Sequence, residues 1–134
     1  KMSKSYNNTI PLFSTEKELL KLVRKITTNS LEPGEPKDPD NCSLFQIYKA
    51  FAKPDEVAAM RVKYQEGIGW GAAKTEVFEY LNQILSAPRE RYVALMQDPA
   101  AIEKILIQGA VRARDEASPF MARLRQAVGL GRFA

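Results

Sequence analysis

Two lysines stand three residues apart at the front of this 134-residue sequence, in KMSKS, Lys1 to Ser5, with hydroxyls at Ser3 and Ser5. That grouping has a definite chemistry. An ammonium group is a mobile point charge toward phosphate, while hydroxyls and loop N–H groups add directional bonds. A triphosphate is the natural counterpart. Five residues are a short motif, and taken by composition alone they read better as a plain basic tail.

Other chemistries are excluded or weak. The sequence has no histidine, so serine–histidine and cysteine–histidine catalysis cannot be assembled within it, nor can a histidine-ligated zinc site. A single cysteine, Cys42, forbids an internal disulfide and fits a reducing cytosol. Cys42 lies near an expected helix start, but it has no partner base in sequence and no reactive role is expected of it. Asp38 and Asp40 are candidate cation ligands whose plainer role is to face water; no metal site is expected. Trp70, in GIGWGAAK, is a base-stacking platform or, more simply, packing at a helix entrance. The glycines around it depart from a phosphate loop, which needs a preceding strand and Gly-Lys-Ser/Thr. Tyr48, Tyr64, Tyr80 and Tyr92 read as edges of an amphipathic core.

Charge is distributed unevenly. Both ends are basic and the middle is acidic: after Glu116 no acid follows, while Arg123, Arg125 and Arg132 do. A polyanion such as RNA fits this pattern, and so does an ordinary solvated surface. No apolar run approaches the roughly 20 residues that cross a bilayer, so no membrane partner is expected.

The elements that must position these groups are helical. Residues 1–14 read as an irregular arm, with Ile10, Leu12 and Phe13 available to pin it to a core. Thr15 and Glu18 form a capping box for a helix carrying Leu19, Leu20, Val23 and Ile26. Residues 31–40, LEPGEPKDPD, hold three prolines and a glycine and read as an acidic surface loop. Ser43 and Gln46 suggest a second capping box, and Pro54-Asp55-Glu56 a third helix start. A long helix from Ala72 to Gln97 contains Pro88, which should bend or split it. Asp98-Pro99 caps a fifth helix whose apolar residues recur from Ile102 to Val128, with Gly129 as its stop. The expected fold is all-α, a bundle of about five helices behind the arm.

With that context the front motif gains meaning. KMSKSYNNTIPLF resembles the nucleotide-binding signature of class I aminoacyl-tRNA synthetases, specifically tryptophanyl-tRNA synthetase. Asn7-Asn8, then Ile10 with Leu12, then the Thr15-capped helix follow the family order. The proline-rich loop, the Leu-Phe-x-Ile-Tyr helix, the glycine-rich turn, ILIQGAVRARDEA and the closing AVGL also resemble that family. The resemblance covers essentially the whole chain.

The resemblance implies a C-terminal part of tryptophan–tRNA ligase beginning at KMSKS. Residues 1–14 would be an arm from the end of the catalytic domain, and residues 15–134 a helical tRNA anticodon-binding domain. Lys4 would be the main contact to the ATP phosphates and Lys1 would assist; Met2, Ser3 and Ser5 would shape the loop around ATP. Mg2+ is expected with ATP in the parent enzyme, with no metal held by side chains of this chain. The expected partners are tRNA(Trp), ATP and a missing Rossmann catalytic domain, in a cytoplasmic parent that forms a homodimer. Candidate tRNA contacts are Arg89, Arg91, Arg112, Arg114 and Arg123, since arginine suits phosphate forks and base stacking. Arg112 and Arg114, two apart, cannot share a helix face. Three departures matter: Tyr6 stands where many relatives have aspartate, the histidine-glycine-histidine signature is absent, and so is the tryptophan pocket. The chain by itself is therefore expected to make no adenylate. The alternatives are a stand-alone helical RNA-binding or protein-interaction module with an accidental KMSKS, and the equivalent part of a tyrosine-specific synthetase.

Overall fold

The computed structural model describes residues 3–6 and 8–130, and of Lys4 only the backbone. A short 3-10 turn (Lys4–Tyr6) is followed by α1 (Glu16–Lys25), α2 (Ser43–Lys49), α3 (Pro54–Gln65), α4 (Trp70–Gln97) and α5 (Pro99–Ala127), with no strand among the described residues. The all-α, five-helix class is as expected. The chain divides into two compact units, Lys1–Glu90 and Arg91–Ala134, the division falling within α4.

In the first unit the local signals set the helix starts. The Thr15 hydroxyl accepts the Glu18 N–H at 3.3 Å, and the Glu18 carboxylate accepts the Thr15 N–H at 2.9 Å. Those bonds from Thr15 hold the Glu18 carboxyl below its usual value. At α3 the Glu56 carboxylate accepts the Lys53 N–H at 2.8 Å and the Tyr80 hydroxyl at 2.7 Å, which lowers its pKa in turn. The expected Ser43–Gln46 box does not form. Cys42 is the N-cap residue of α2, with no side-chain cap, and Gln46 reaches back to donate to the Asp40 carbonyl at 3.1 Å. Ser43 is already inside the first turn, so its hydroxyl stands one residue too late to cap.

Four helices meet in one core. Leu19 and Val23 come from α1, Leu44, Phe45 and Tyr48 from α2, Met60 and Tyr64 from α3, and Ala73, Val77, Leu81 and Leu85 from α4. The α4 residues recur every fourth position, a single stripe along the helix. Phe45 packs edge-on to Tyr64 at 5.2 Å between ring centres, and Tyr64 likewise to Trp70 at 5.9 Å. Each large side chain buried here contributes about 1.5–3 kcal/mol relative to exposure. The Arg61–Asp40 ion pair, two bonds of 2.8 Å, lies at the surface where water screens it, and adds little beside this burial. The apolar core therefore decides the stability of this unit.

The proline-rich segment is not simply a surface loop. Lys37 is 3% exposed, and its ammonium group donates to the carbonyls of Glu32 at 2.8 Å and Glu35 at 2.9 Å while lying 5.5 Å from the Trp70 ring centre. The segment is tied to the end of α3 by Lys37 N–H to the Tyr64 carbonyl and Gly34 N–H to the Gly67 carbonyl, both 2.8 Å. Gly67, at φ +88°, comes so near that an added Cβ would lie 2.4 Å from the Gly34 carbonyl carbon.

Helix α4 runs unbroken through Pro88 and α5 through Pro119, so neither proline splits its helix. The Asp98 carboxylate caps α5 by accepting the Ala101 N–H at 3.1 Å. Its far end closes on Gly129 at φ +74°, with Leu130 N–H to the Arg125 carbonyl at 2.8 Å. The expected apolar periodicity of α5 is present, but no residue of α5 is buried.

Gly67→Ala is expected to lower stability by more than about 2 kcal/mol, since it adds a strained backbone conformation to a backbone clash. Gly71→Ala, with open space around it, should leave the melting temperature unchanged or raise it. Paired thermal melts check this, and equal effects would contradict it. Glu18, Asp40 and Glu56 all have lowered pKa values, led by bonds from Thr15, Arg61 and Lys53 respectively. A carboxylate depressed in the folded state stabilises above its unfolded pKa and loses that contribution as pH falls through its folded one. The melting temperature should therefore be level from about pH 7 to 5 and fall below about pH 4; a rise on acidification would contradict it.

Candidate functional site

Among the described residues of the arm a short hydrogen-bonded turn forms. Tyr6 N–H donates to the Ser3 carbonyl at 3.2 Å, closing the 3-10 turn, and Ser3 N–H donates to the Asn8 side-chain oxygen at 2.7 Å. The Ser3 and Ser5 hydroxyls lie 2.7 Å apart. One donates to the other, so one O–H of the pair remains to donate outward. The turn thus brings Ser3 and Ser5 together beside the Lys4 backbone. Lys1, Met2 and Asn7 lie outside the described residues, as does the side chain of Lys4.

Behind the turn, Ile10 packs on the core, while Leu12 and Phe13 stay exposed. Ile10, Pro11 and Leu12 form one wall of an apolar cavity of about 370 Å³ whose other walls include Leu19, Ile47, Phe51, Leu81 and Leu85. The arm is thereby seated on α1, α2 and α4, and the 3-10 turn ends at Tyr6, four residues before Ile10.

The five candidate arginines differ in setting. Arg91, Arg112, Arg114 and Arg123 are exposed, and Arg123 lies 6.0 Å from the Phe120 ring centre on the same helix. Arg89 is half-buried. Its Nη1 donates to the Asn82 side-chain oxygen at 3.0 Å, but Nε and Nη2 are closed off from solvent with no hydrogen-bond partner. In the present arrangement those two nitrogens do not face an incoming phosphate.

The other candidate groups are engaged structurally. Asp38 accepts from Asp40 N–H and from the Asn41 amide, and Asp40 is paired with Arg61. Among the described residues no three His, Cys, Asp or Glu side chains gather to hold a metal ion. Trp70 donates to the Asn29 side chain at 3.1 Å and packs on Tyr64, which is packing at a helix entrance and not an open stacking platform. Burial pushes the Tyr64 hydroxyl up, and the Glu56 carboxylate with burial pushes the Tyr80 hydroxyl up to about 12; neither can act as a base near neutrality. Sequence reasoning missed the buried Lys37, which serves the loop. Its one signal was a lysine among acids with a tryptophan downstream.

A KMSKS turn in front of an all-α domain resembles the C-terminal region of class I aminoacyl-tRNA synthetases. The particular likeness is to tryptophan–tRNA ligases, which this chain matches over nearly its whole length. It is 50% identical over 133 residues to the tryptophan–tRNA ligase of Pseudomonas syringae pv. tomato, covering 99% of this chain and 30% of that protein. It is 53% identical over 130 residues to that of Pseudomonas aeruginosa, covering 97% of this chain and 29% of that protein. The fold matches a crystal structure of tryptophanyl-tRNA synthetase from Campylobacter jejuni complexed with ADP and tryptophan, with a TM-score of 0.83, 37% identity, and coverage of 96% of this chain and 41% of that one. No protein-family model matches the chain. The chain spans about 30% of the length of the curated relatives it matches, corresponding to their C-terminal part. Among the described residues no helix is long and apolar enough to cross a membrane.

A guanidinium edge buried without acceptors is costly, and replacing it by an apolar chain of similar length removes that cost. Arg89→Met is expected to hold or raise the stability of the chain, by up to about 2 kcal/mol. Asn82→Leu, which strips the remaining acceptor, should lower it by a similar amount. Denaturant unfolding of both variants checks this, and a strong loss in Arg89→Met would contradict it.

Proposed function

We propose that the chain works as the C-terminal part of a tryptophan–tRNA ligase, which activates tryptophan with ATP and transfers it to tRNA(Trp). The observation that carries this reading is identity near 50% to tryptophan–tRNA ligases over 97–99% of the chain, KMSKS included. Residues 1–14 act as the arm of the catalytic domain, and residues 15–134 as the helical tRNA anticodon-binding domain. The parent is a cytoplasmic homodimer whose Rossmann domain supplies the tryptophan pocket.

The chemistry of the arm follows from charge. As the tryptophan carboxylate attacks the α-phosphorus, negative charge builds on the departing pyrophosphate. A cation placed there favours the transition state over the ground state, which is the condition for raising the rate. Lys4 makes the main phosphate contact and Lys1 assists. Met2, Ser3 and Ser5 shape the turn, and the serine pair's remaining O–H is available to a phosphate oxygen. Mg2+ enters with ATP as part of the substrate, bound by its phosphates and not by side chains of this chain. A short turn seated by an apolar wall suits a loop that closes on substrate. On the helical domain, Arg91, Arg112, Arg114 and Arg123 contact tRNA phosphates from exposed positions. Arg89 joins them only where its cover is displaced.

The 134-residue chain should show no tryptophan-dependent pyrophosphate exchange. In a full-length enzyme ending in this segment, Lys4→Ala should lower the exchange rate by about 100-fold or more, with Lys1→Ala milder. Arg112→Glu and Arg123→Glu should weaken tRNA binding at moderate salt and leave exchange intact. Exchange by the chain alone, or undiminished exchange in Lys4→Ala, would contradict the reading; unchanged tRNA affinity would remove the arginines from it.

A further inference from the structure

Ser3 is held through each of its polar groups. Its N–H donates to the Asn8 side-chain oxygen at 2.7 Å, its carbonyl accepts the Tyr6 N–H at 3.2 Å, and its hydroxyl lies 2.7 Å from that of Ser5. The bonds to Tyr6 and Ser5 stay inside the turn. The bond to Asn8 leaves it and reaches back along the arm. A side-chain carbonyl that answers a backbone N–H in this way fixes a loop that has no helix or sheet ladder to hold it.

The place of Asn8 in the chain gives the bond its consequence. Asn8 comes shortly before Ile10, which packs on the core cluster, and Pro11 and Leu12 continue that seat. The path from the core to the turn therefore runs through Ile10 and Asn8 to Ser3. Five residues of untied chain reach up to about 17 Å, so without the bond Ser3 and Lys4 could sweep a volume far larger than a phosphate group. With it, the Ser3 N–H stays within hydrogen-bond reach of the Asn8 side chain. A misplacement of about 1 Å at the reacting groups can cost about 100-fold in rate, so a cation that must meet a developing charge depends on a turn that is held. Asn8 itself is exposed, and its loss leaves no polar group buried in the core.

We propose that Asn8 is a positioning residue for the KMSKS turn: its side-chain oxygen pins the Ser3 N–H, and with it the Lys4 backbone and the Ser3–Ser5 hydroxyl pair, in the arrangement that meets the ATP phosphates. Asn8 acts through Ser3 and not by touching a phosphate. This rests on the reading of the chain as the C-terminal part of a synthetase.

The test uses a full-length synthetase that carries this chain as its C-terminal part, with tryptophan-dependent pyrophosphate exchange as the readout. Asn8→Ala removes the acceptor. Asn8→Asp keeps an acceptor oxygen in the same place and removes the amide N–H2. The expected result for Asn8→Ala is a kcat about 10-fold or more lower, an unchanged KM for tryptophan, and a melting temperature within about 2 °C of the unsubstituted enzyme. Asn8→Asp should recover most of that kcat; any repulsion of ATP by its charge appears as a higher KM for ATP, the sign of lost uniform binding. An undiminished kcat in Asn8→Ala would overturn the proposal. So would Asn8→Asp as slow as Asn8→Ala, which would assign the amide N–H2 a direct contact with ATP. A melting temperature more than about 5 °C lower in Asn8→Ala would overturn it in favour of a plainly structural role. If the unsubstituted enzyme gave no exchange, the synthetase reading would fail and the proposal with it; exchange that is present but insensitive to Asn8 leaves that reading standing and removes only the pin.

Discussion

The first unit is organised around one buried ring. Tyr64 is fully enclosed; its edges meet Phe45 of α2 and Trp70 of α4, and its hydroxyl lies 3.8 Å from the Cys42 sulfur. Its carbonyl accepts the Lys37 N–H that pins the proline-rich segment. Apolar burial supplies the free energy at this point, while the hydrogen bonds supply direction. A residue of α3 that touches α2 and α4 through its side chain and the proline-rich segment through its backbone leaves each little freedom to move independently. The Gly34–Gly67 approach is a consequence: the segment can lie that close only because Gly67 has no side chain.

From this core the functional arm inherits its position. Ile10 is packed against the same cluster, and Pro11 and Leu12 complete an apolar wall. Only the short turn beyond them is free to meet a ligand. That division of labour suits phosphate chemistry. On the proposed function the lysines would have to reach the charge that develops during reaction, from a base rigid enough to aim them. The helical body anchors the arm and, on the proposed reading, offers its exposed arginines to tRNA.

Much of this was legible in the sequence where the cause is local. The Thr15–Glu18 box, proline at the first turn of α3, the Asp98 cap and the Gly129 stop each depend on residues within one turn of one another, and all four are present. Features with a tertiary cause were not legible. Lys37 looked like one more charge in an acidic loop, and only the folded loop turns two carbonyls and an indole toward it. Ser43 and Gln46 had the spacing of a box, but the turn begins one residue earlier than that spacing requires. For KMSKS the sequence carried the family likeness, and the structure adds the hydrogen-bonded pairing of Ser3 and Ser5.

The most direct measurement is the amino-acid specificity of tRNA charging by a full-length synthetase that carries this chain as its C-terminal part. The expected result is charging of tRNA(Trp) with tryptophan, and none with tyrosine under the same conditions. Charging with tyrosine, or no charging of any tRNA by a folded full-length protein, would contradict the assignment and leave an α-helical domain with a basic arm of another purpose.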